Sequence, residues 1–326
     1  MPKKTFARAM IDAVSYALAE DPQVVVIGVS SFVLDRGLPP DEEQALFDKF
    51  PGRLIDPPTA ESAVTSLAAG AAMAGMRVFV NYGTASFAYE AWNQILNEVG
   101  NAHLMSGGQL KVPLVLHMFA GVRGGGAAQH SASPQAMIAN SGGLELVLPA
   151  APADAQGLLR TAIRSDNPTV FITHTELMNL AGEVPEGDFA IPFGQAVVAR
   201  PGRDLTIVAT SLMVQEALKA AAVLAREGIE AEVVDPRTIV PLDKATICAS
   251  VRKTGHLVCV DEANRTCSIA SEISALVAEE VFDALKAPIL RVARADVPVA
   301  YAPPLEAYVT PTAEKIVAAA KKALSR

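Results

Sequence analysis

The sequence predicts an α/β protein made of two doubly wound parallel sheets. Short runs of branched aliphatic residues alternate with helix-patterned segments along the chain. Of the 326 residues 51% are hydrophobic but only 5% aromatic, a balance that suits buried parallel strands covered by alanine-rich helices. A polar, proline-containing connector at 182–194, GEVPEGDFAIPFG, interrupts the alternation, which then restarts. The length leaves room for two ordinary domains, placed at 1–190 and 191–326.

The opening MPKKTFARAMIDAV reads as a first amphipathic helix. It has two lysines but lacks the apolar core and small-residue cleavage site of a signal peptide. Residues 23–28, 77–81, 112–117, 144–148 and 169–173 are runs of buried-strand type, and 60–75, 86–99 and 153–165 have helical composition. Glycine and proline punctuation separates them near residues 37, 106, 121 and 165. Beyond the connector, strands are expected at 205–210, 230–235, 256–261 and 289–293, and helices at 212–227, 243–253, 269–283 and 311–325. The sequence shows no internal repeat or low-complexity tract.

The formal charge of -8 provides no basic field for nucleic acid or an anionic membrane. Cys248, Cys259 and Cys267 form no CxxC pair and suit a reducing compartment better than a disulfide framework. No apolar run reaches membrane-spanning length without charges or breaks. The expectation is a soluble, cytoplasmic protein.

In DPPTAESAVTSLAAGAAMAG, residues 56–75, the only charge after Asp56 is Glu61. Two readings stay open on the residues alone. In one, Thr59 caps a helix and Glu61 is an ordinary first-turn acid facing the helix dipole. In the other, Glu61 is a buried acid with a task. Ser66, Ala68, Ala69, Gly70, Ala72 and Gly75 leave the segment almost without side-chain bulk. Glycine costs helix stability, so a close approach to this backbone is expected to compensate.

Glu61, four residues, Ser66, Leu67, two residues, then Gly70 and Ala71 resemble the pyrimidine-domain signature of thiamine diphosphate enzymes, with Ser66 in place of its first glycine. LMSGGQLKVPLVL (104–116), GGGAAQHSASPQA (124–136), GLLRTAIRSDNPTVFI (157–172), EAEVVDPRTIVPLD (230–243), VCVDEA (258–263) and RADVPVAYAPPLE (294–306) follow in order. Together they resemble, over nearly the full length, the β subunit of the decarboxylating component of 2-oxo acid dehydrogenase complexes, of the pyruvate, branched-chain or acetoin type.

The resemblance implies a pyrimidine-binding domain followed by a transketolase-type C-terminal domain. It implies that Glu61 pairs with a ring nitrogen of the cofactor's aminopyrimidine, in a water-poor interface where a proton is shared and not lost to solvent. It places Phe87 against that ring, with a core phenylalanine as the plain reading. His130 becomes a candidate for acyl transfer to a lipoyl group, where its imidazole can donate or accept a proton. The carbonyls of Leu114, Ala162 and Asn167, together with Ser165, become candidate ligands of a structural potassium ion.

No GDG followed by a late asparagine occurs, and EGDF at 186–189 is no match for that metal and diphosphate motif. A second, α-type subunit is therefore expected to supply Mg²⁺ and diphosphate binding, in an α2β2 heterotetramer. The resemblance also points to docking of a lipoyl acyltransferase core around Asp296. Asp235, Arg237 and Asp261 at strand ends read as turn and interface residues. The chain departs from the family at Val29 and Ser30, where relatives carry acids tied to proton relay. It departs again at His117, Met118, Phe119, Tyr82 and Gly83, read as reshaping of the substrate pocket or as plain divergence. The leading function is a thiamine-dependent 2-oxo acid or acyloin dehydrogenase β subunit. A split transketolase-like subunit and a non-catalytic assembly subunit are the alternatives.

Overall fold

The structure, a computed structural model, describes residues 1–28 and 40–325. It divides into two compact units, Met1–Ala120 with Met137–Phe193, and Gly121–Ala136 with the chain from Gly194 onward. Val29 and Ser30 lie outside the described residues.

The first unit contains β1 (Lys3–Thr5), β2 (Val24–Ile27), β3 (Leu54–Ile55), β4 (Arg77–Thr84), β5 (Leu114–Ala120), β6 (Glu145–Val147), β7 (Thr169–His174) and β8 (Ala181–Glu183). Its main sheet runs β6-β7-β5-β4-β2-β3, every one of these pairings parallel. β2, β5 and β7 are buried throughout, which is why they read as unbroken apolar runs and do not alternate. β1 and β8 form a separate antiparallel ribbon.

The helices of this unit are α1 (Phe6–Glu20), α2 (Pro40–Lys49), α3 (Glu61–Met73), α4 (Ala102–Met105) and α6 (Pro152–Arg164), and α5 (Gln135–Ala139) lies where the chain re-enters it. α1 starts at Thr5, whose hydroxyl accepts the Arg8 amide at 3.2 Å. Its apolar face, Phe6, Met10, Ile11, Val14 and Leu18, is buried, and the helix packs on α6. The fully buried Arg160 of α6 donates to Asp188 Oδ1 at 2.5 Å and Oδ2 at 2.7 Å, and also to Glu20. EGDF therefore has a visible structural task, because Asp188 satisfies a buried guanidinium.

The helix expected at 86–99 is not one regular helix. Phe87–Ala91 is a 3₁₀ turn and Gln94–Val99 a π-helical turn closed by the Gly100 amide on the Ile95 carbonyl at 3.0 Å. The widened turn keeps Ile95 and Val99 in the core together with Ala88 and Ala91.

The second unit contains β9 (Val197–Arg200), β10 (Leu205–Ala209), β11 (Ala231–Asp235), β12 (Thr238–Val240), β13 (Leu257–Asn264) and β14 (Leu290–Arg294). Its sheet runs β14-β13-β10-β11-β9. It is parallel except at β9, an antiparallel edge strand that the sequence reading did not place. Only the ladder to β11 makes this half-exposed segment a strand. The helices are α7 (Leu212–Ala225), α8 (Lys244–Thr254), α9 (Ile269–Glu280), α10 (Pro303–Val309) and α11 (Ala313–Leu324). α8 shows the expected end chemistry: Asp243 accepts the Thr246 amide at 3.0 Å, and Gly255 closes the helix at φ 76°.

Candidate active site

The chain enters α3 from Asp56-Pro57-Pro58, and helical geometry begins at Glu61 itself. The boundary residue is therefore Ala60, at φ -161° and ψ 67°, and not Thr59 as expected. Alanine has no side-chain acceptor, so the first-turn amides have no side-chain cap, and the acid within that turn is Glu61.

The first turn is tied down in another way. The Thr65 hydroxyl donates to the Glu61 carbonyl at 2.7 Å and lies 2.6 Å from the Tyr82 hydroxyl. A threonine hydroxyl has one proton to donate, so Tyr82 is the donor in the second contact. Burial holds the Tyr82 pKa above the usual tyrosine value; the Thr65 hydrogen bond opposes that shift and the nearby Glu61 charge adds to it. Ser62, next to Glu61, donates to the Glu90 carbonyl, and α3 packs on the 3₁₀ turn that Phe87 begins. Glu61 and Phe87 thus lie on neighbouring elements, and Phe87 is 38% exposed.

The expected burial of α3 is found on its inner face only. Thr65, Ala68, Ala69 and Ala72 are buried, whereas Leu67 is 61% exposed. A Cβ added at Gly70 would meet nothing within 4 Å. Among the described residues nothing covers this slim outer face at Gly70.

In the neighbouring sheet His117, at the middle of β5, is fully buried. Its Nδ1 lies 2.7 Å from Asn81 Oδ1 and its Nε2 2.9 Å from the Thr173 hydroxyl. Asn81 donates to the Gly28 carbonyl at 3.2 Å. Phe79 stacks on the imidazole and Phe119 meets it edge-on. Of the departures, His117 joins Asn81 and Thr173 in an interior polar knot, Phe119 is part of the aromatic cage around it, and Met118 is also fully buried.

His130 lies in the second unit, on the loop Gly121–Ala136, at the end of the 3₁₀ turn Ala128–His130. The loop is closed at its base by the Gly121 amide on the Ala132 carbonyl at 3.0 Å. Glu262 accepts the Val122 amide at 2.8 Å, Glu306 the Gly125 amide at 3.0 Å, and Arg294 donates to the Ser131 carbonyl at 2.8 Å. Asp261 accepts Gln135 Nε2 at 2.8 Å and the Ala263 and Ile269 amides, while burial raises its pKa. Arg123 donates to His130 Nδ1 at 2.8 Å. The sequence reading does not single out Arg123, Glu262 and Glu306 as site-supporting residues, and it takes Asp261 as a turn and interface residue. The one available signal was a pair of acids ending an apolar strand.

Leu114 opens β5, Ala162 lies in the last turn of α6, Ser165 is that helix's C-cap, and Asn167 follows. Pairing of Val115 with Thr169 brings these positions to one end of the sheet. Arg77 donates to the Ile163, Arg164 and Ser165 carbonyls at 3.3, 3.1 and 2.9 Å, so a guanidinium already meets part of this helix end. Ser165 and Asn167 donate their side chains to Glu145. Asp296 accepts the Thr266 amide at 2.9 Å and the Thr266 hydroxyl at 2.7 Å, and Asp235 accepts the Arg237 amide at 2.8 Å. Among the described residues, no group of three or more His, Cys, Asp or Glu side chains is arranged to hold a metal. No helix among them is long and apolar enough to cross a membrane.

The family described as transketolase, pyrimidine binding domain, matches residues 3–180, and that described as transketolase, C-terminal domain, matches 194–316. The β subunit of acetoin:2,6-dichlorophenolindophenol oxidoreductase from Cupriavidus necator is 41% identical, covering 99% of this chain and 98% of that one. The pyruvate dehydrogenase E1 component β subunit of Rickettsia felis is 40% identical over 98% of this chain and 97% of its own. This chain belongs to the 2-oxo acid dehydrogenase β-subunit family. A solved structure described as split gene transketolase, inactive beta4 tetramer, superposes on this β-type subunit with a TM-score of 0.76 at 27% identity, covering 98% of both chains. Membership in the pyrimidine-binding family implies a cofactor of the thiamine diphosphate type. What this β-type chain offers such a cofactor, on its first unit, is a carboxylate in a first turn without a side-chain cap and a part-exposed aromatic residue on the 3₁₀ turn packed against that helix. That donor set fits an aminopyrimidine, which presents ring nitrogens and a flat apolar face.

Proposed function

We propose that this chain is the β subunit of a thiamine diphosphate-dependent 2-oxo acid or acyloin dehydrogenase, working with an α-type subunit in an α2β2 heterotetramer. The observation that carries the reading is Glu61, a lone acid in a side-chain-uncapped first turn, pinned through Thr65 to a buried tyrosine. Thiamine diphosphate, when bound, supplies a nucleophilic carbon and an electron sink for breaking a bond beside a carbonyl. Glu61 holds a proton in common with the aminopyrimidine ring, and Phe87 packs on that ring's face. His130 assists passage of the acyl unit to a lipoyl arm. The α-type subunit supplies Mg²⁺ and the diphosphate site.

A potassium ion held by the carbonyls of Leu114, Ala162 and Asn167 with Ser165 belongs to the same reading, supported by the shared sheet end and by oxygen donors that suit a hard cation. Docking of a lipoyl acyltransferase core around Asp296 is its outermost part, supported by the exposed side chains of Val297, Tyr301 and Tyr308 nearby in sequence. The likeness to a split transketolase favours a second reading, transfer of a carbon unit to an aldose without oxidation.

The test is Glu61→Gln in the reconstituted α/β enzyme. Cofactor-dependent decarboxylation is expected to fall at least about a hundredfold, the usual scale of a lost acid-base group, with assembly intact. Wild-type turnover by the variant would remove the reading. Sugar-product formation in place of lipoyl acylation would select the transketolase alternative.

A further inference from the structure

We infer that Arg123 is a positioning residue that fixes the tautomer of His130, so that the ring acts as a neutral hydrogen-bond donor through Nε2 and not as an imidazolium acid. The inference rests on the acyl-transfer role proposed above for His130. Its basis is the 2.8 Å contact from Arg123 Nη2 to His130 Nδ1. A guanidinium has donors only, so Nδ1 must be the acceptor and the ring's one proton sits on Nε2. A doubly protonated ring would place N–H against N–H, so it cannot form while this contact lasts.

The loop is shaped to make the contact. A Cβ at Gly126 would come within 2.9 Å of Ser131 Oγ and 3.0 Å of Arg123 Cγ, so glycine lets the chain fold back and bring Arg123 onto His130. Ala127 takes φ 49° directly before the 3₁₀ turn, a left-handed value uncommon for a residue with a side chain. Among the described residues no carboxylate forms an ion pair with Arg123, so no acid competes with the imidazole for it. Glu262, Glu306 and Arg294 hold the loop through its backbone at Val122, Gly125 and Ser131.

An Nε2–H held this way can stabilise negative charge developing on a sulfur or oxygen during acyl transfer, with no change in its own charge. It provides a directed dipole, and no proton leaves the ring.

The test uses the full chain with ¹⁵N-labelled histidine. The His130 ring nitrogens are expected to show protonation at Nε2 only, and a proton on Nδ1 in the wild type would overturn the inference without any variant. In the α/β enzyme, Arg123→Gln, whose amide still donates, is expected to keep that signature. Arg123→Met should lose it, and its lipoyl-dependent turnover should fall about tenfold more than its turnover with an artificial oxidant. Equal losses in the two assays, or a Met variant that keeps the signature, would overturn the inference. His130→Gln separates the two levels. If it leaves lipoyl-dependent turnover unchanged, the role proposed for the histidine fails, whereas the ring signature still judges Arg123.

Discussion

Tyr82 donates its hydroxyl proton to Thr65 at 2.6 Å, and Thr65 passes the restraint on to the Glu61 carbonyl at 2.7 Å. A strand residue in the core thereby holds the first turn of α3, where the boundary residue Ala60 has no side chain able to do so. The hydroxyl stays protonated, because burial raises its pKa first of all and the Glu61 charge adds to that.

Tyr82→Phe should therefore act through Glu61. The expected stability loss is about 1 kcal/mol, the usual net worth of one buried hydrogen bond, read from a denaturant midpoint. Cofactor-dependent turnover is expected to fall about tenfold from misplacement of the carboxylate. In a Glu61→Gln background the same change should cost nothing further in turnover. An equal loss in both backgrounds would show that Tyr82 serves the core alone.

Asp188 offers a stability test with a worked sign. The Arg160 hydrogen bond, the largest cause, holds its pKa below the usual carboxylate value. Its contribution is thus present above the unfolded aspartate pKa and is lost as pH falls through the lower folded value. Asp188→Asn leaves the buried Arg160 with Glu20 as its carboxylate partner and should cost about 3 kcal/mol at neutral pH. The gap between variant and wild type should close in acid. A constant gap from pH 7 to pH 2 would refute this account.

Gly28 is where β2 ends against Asn81. A Cβ there would lie 2.4 Å from the Asn81 carbonyl oxygen, at a backbone φ of 84°. Gly28→Ala should destabilise by at least about 2 kcal/mol, since both strain and collision act on it. It should also loosen the His117–Asn81 pair, visible as faster exchange of strand amides. Gly52→Ala, at φ 75° but with nothing within 4 Å, is the control and should cost less.

The proposed potassium ion is tested by salt exchange. Replacing sodium with potassium at constant ionic strength should raise the melting temperature, by an amount that follows the logarithm of potassium concentration once the site fills. Ser165→Ala should reduce that rise. Identical melting curves in the two salts would remove the ion from the reading.

The sequence was enough for the βα alternation, because strands buried on both faces must be apolar along their length and the covering helices must be amphipathic. It was also enough to single out Glu61, a charge that the surrounding small residues left without company. Tertiary structure decided the rest. The left-out edge strand β9 exists through its ladder to β11, and α3 starts at Glu61 with Ala60 as its boundary residue, one residue later than a Thr59 cap requires. The partners that give the candidate residues their chemistry are remote in sequence or separated by a turn: Tyr82 for the Glu61 turn, Asp261, Glu262, Glu306 and Arg294 for the His130 loop, and Arg123 across three glycines. Periodicity reports which face of an element is buried, but a hydrogen bond needs a donor and an acceptor within about 3 Å of each other, and folding alone sets that distance.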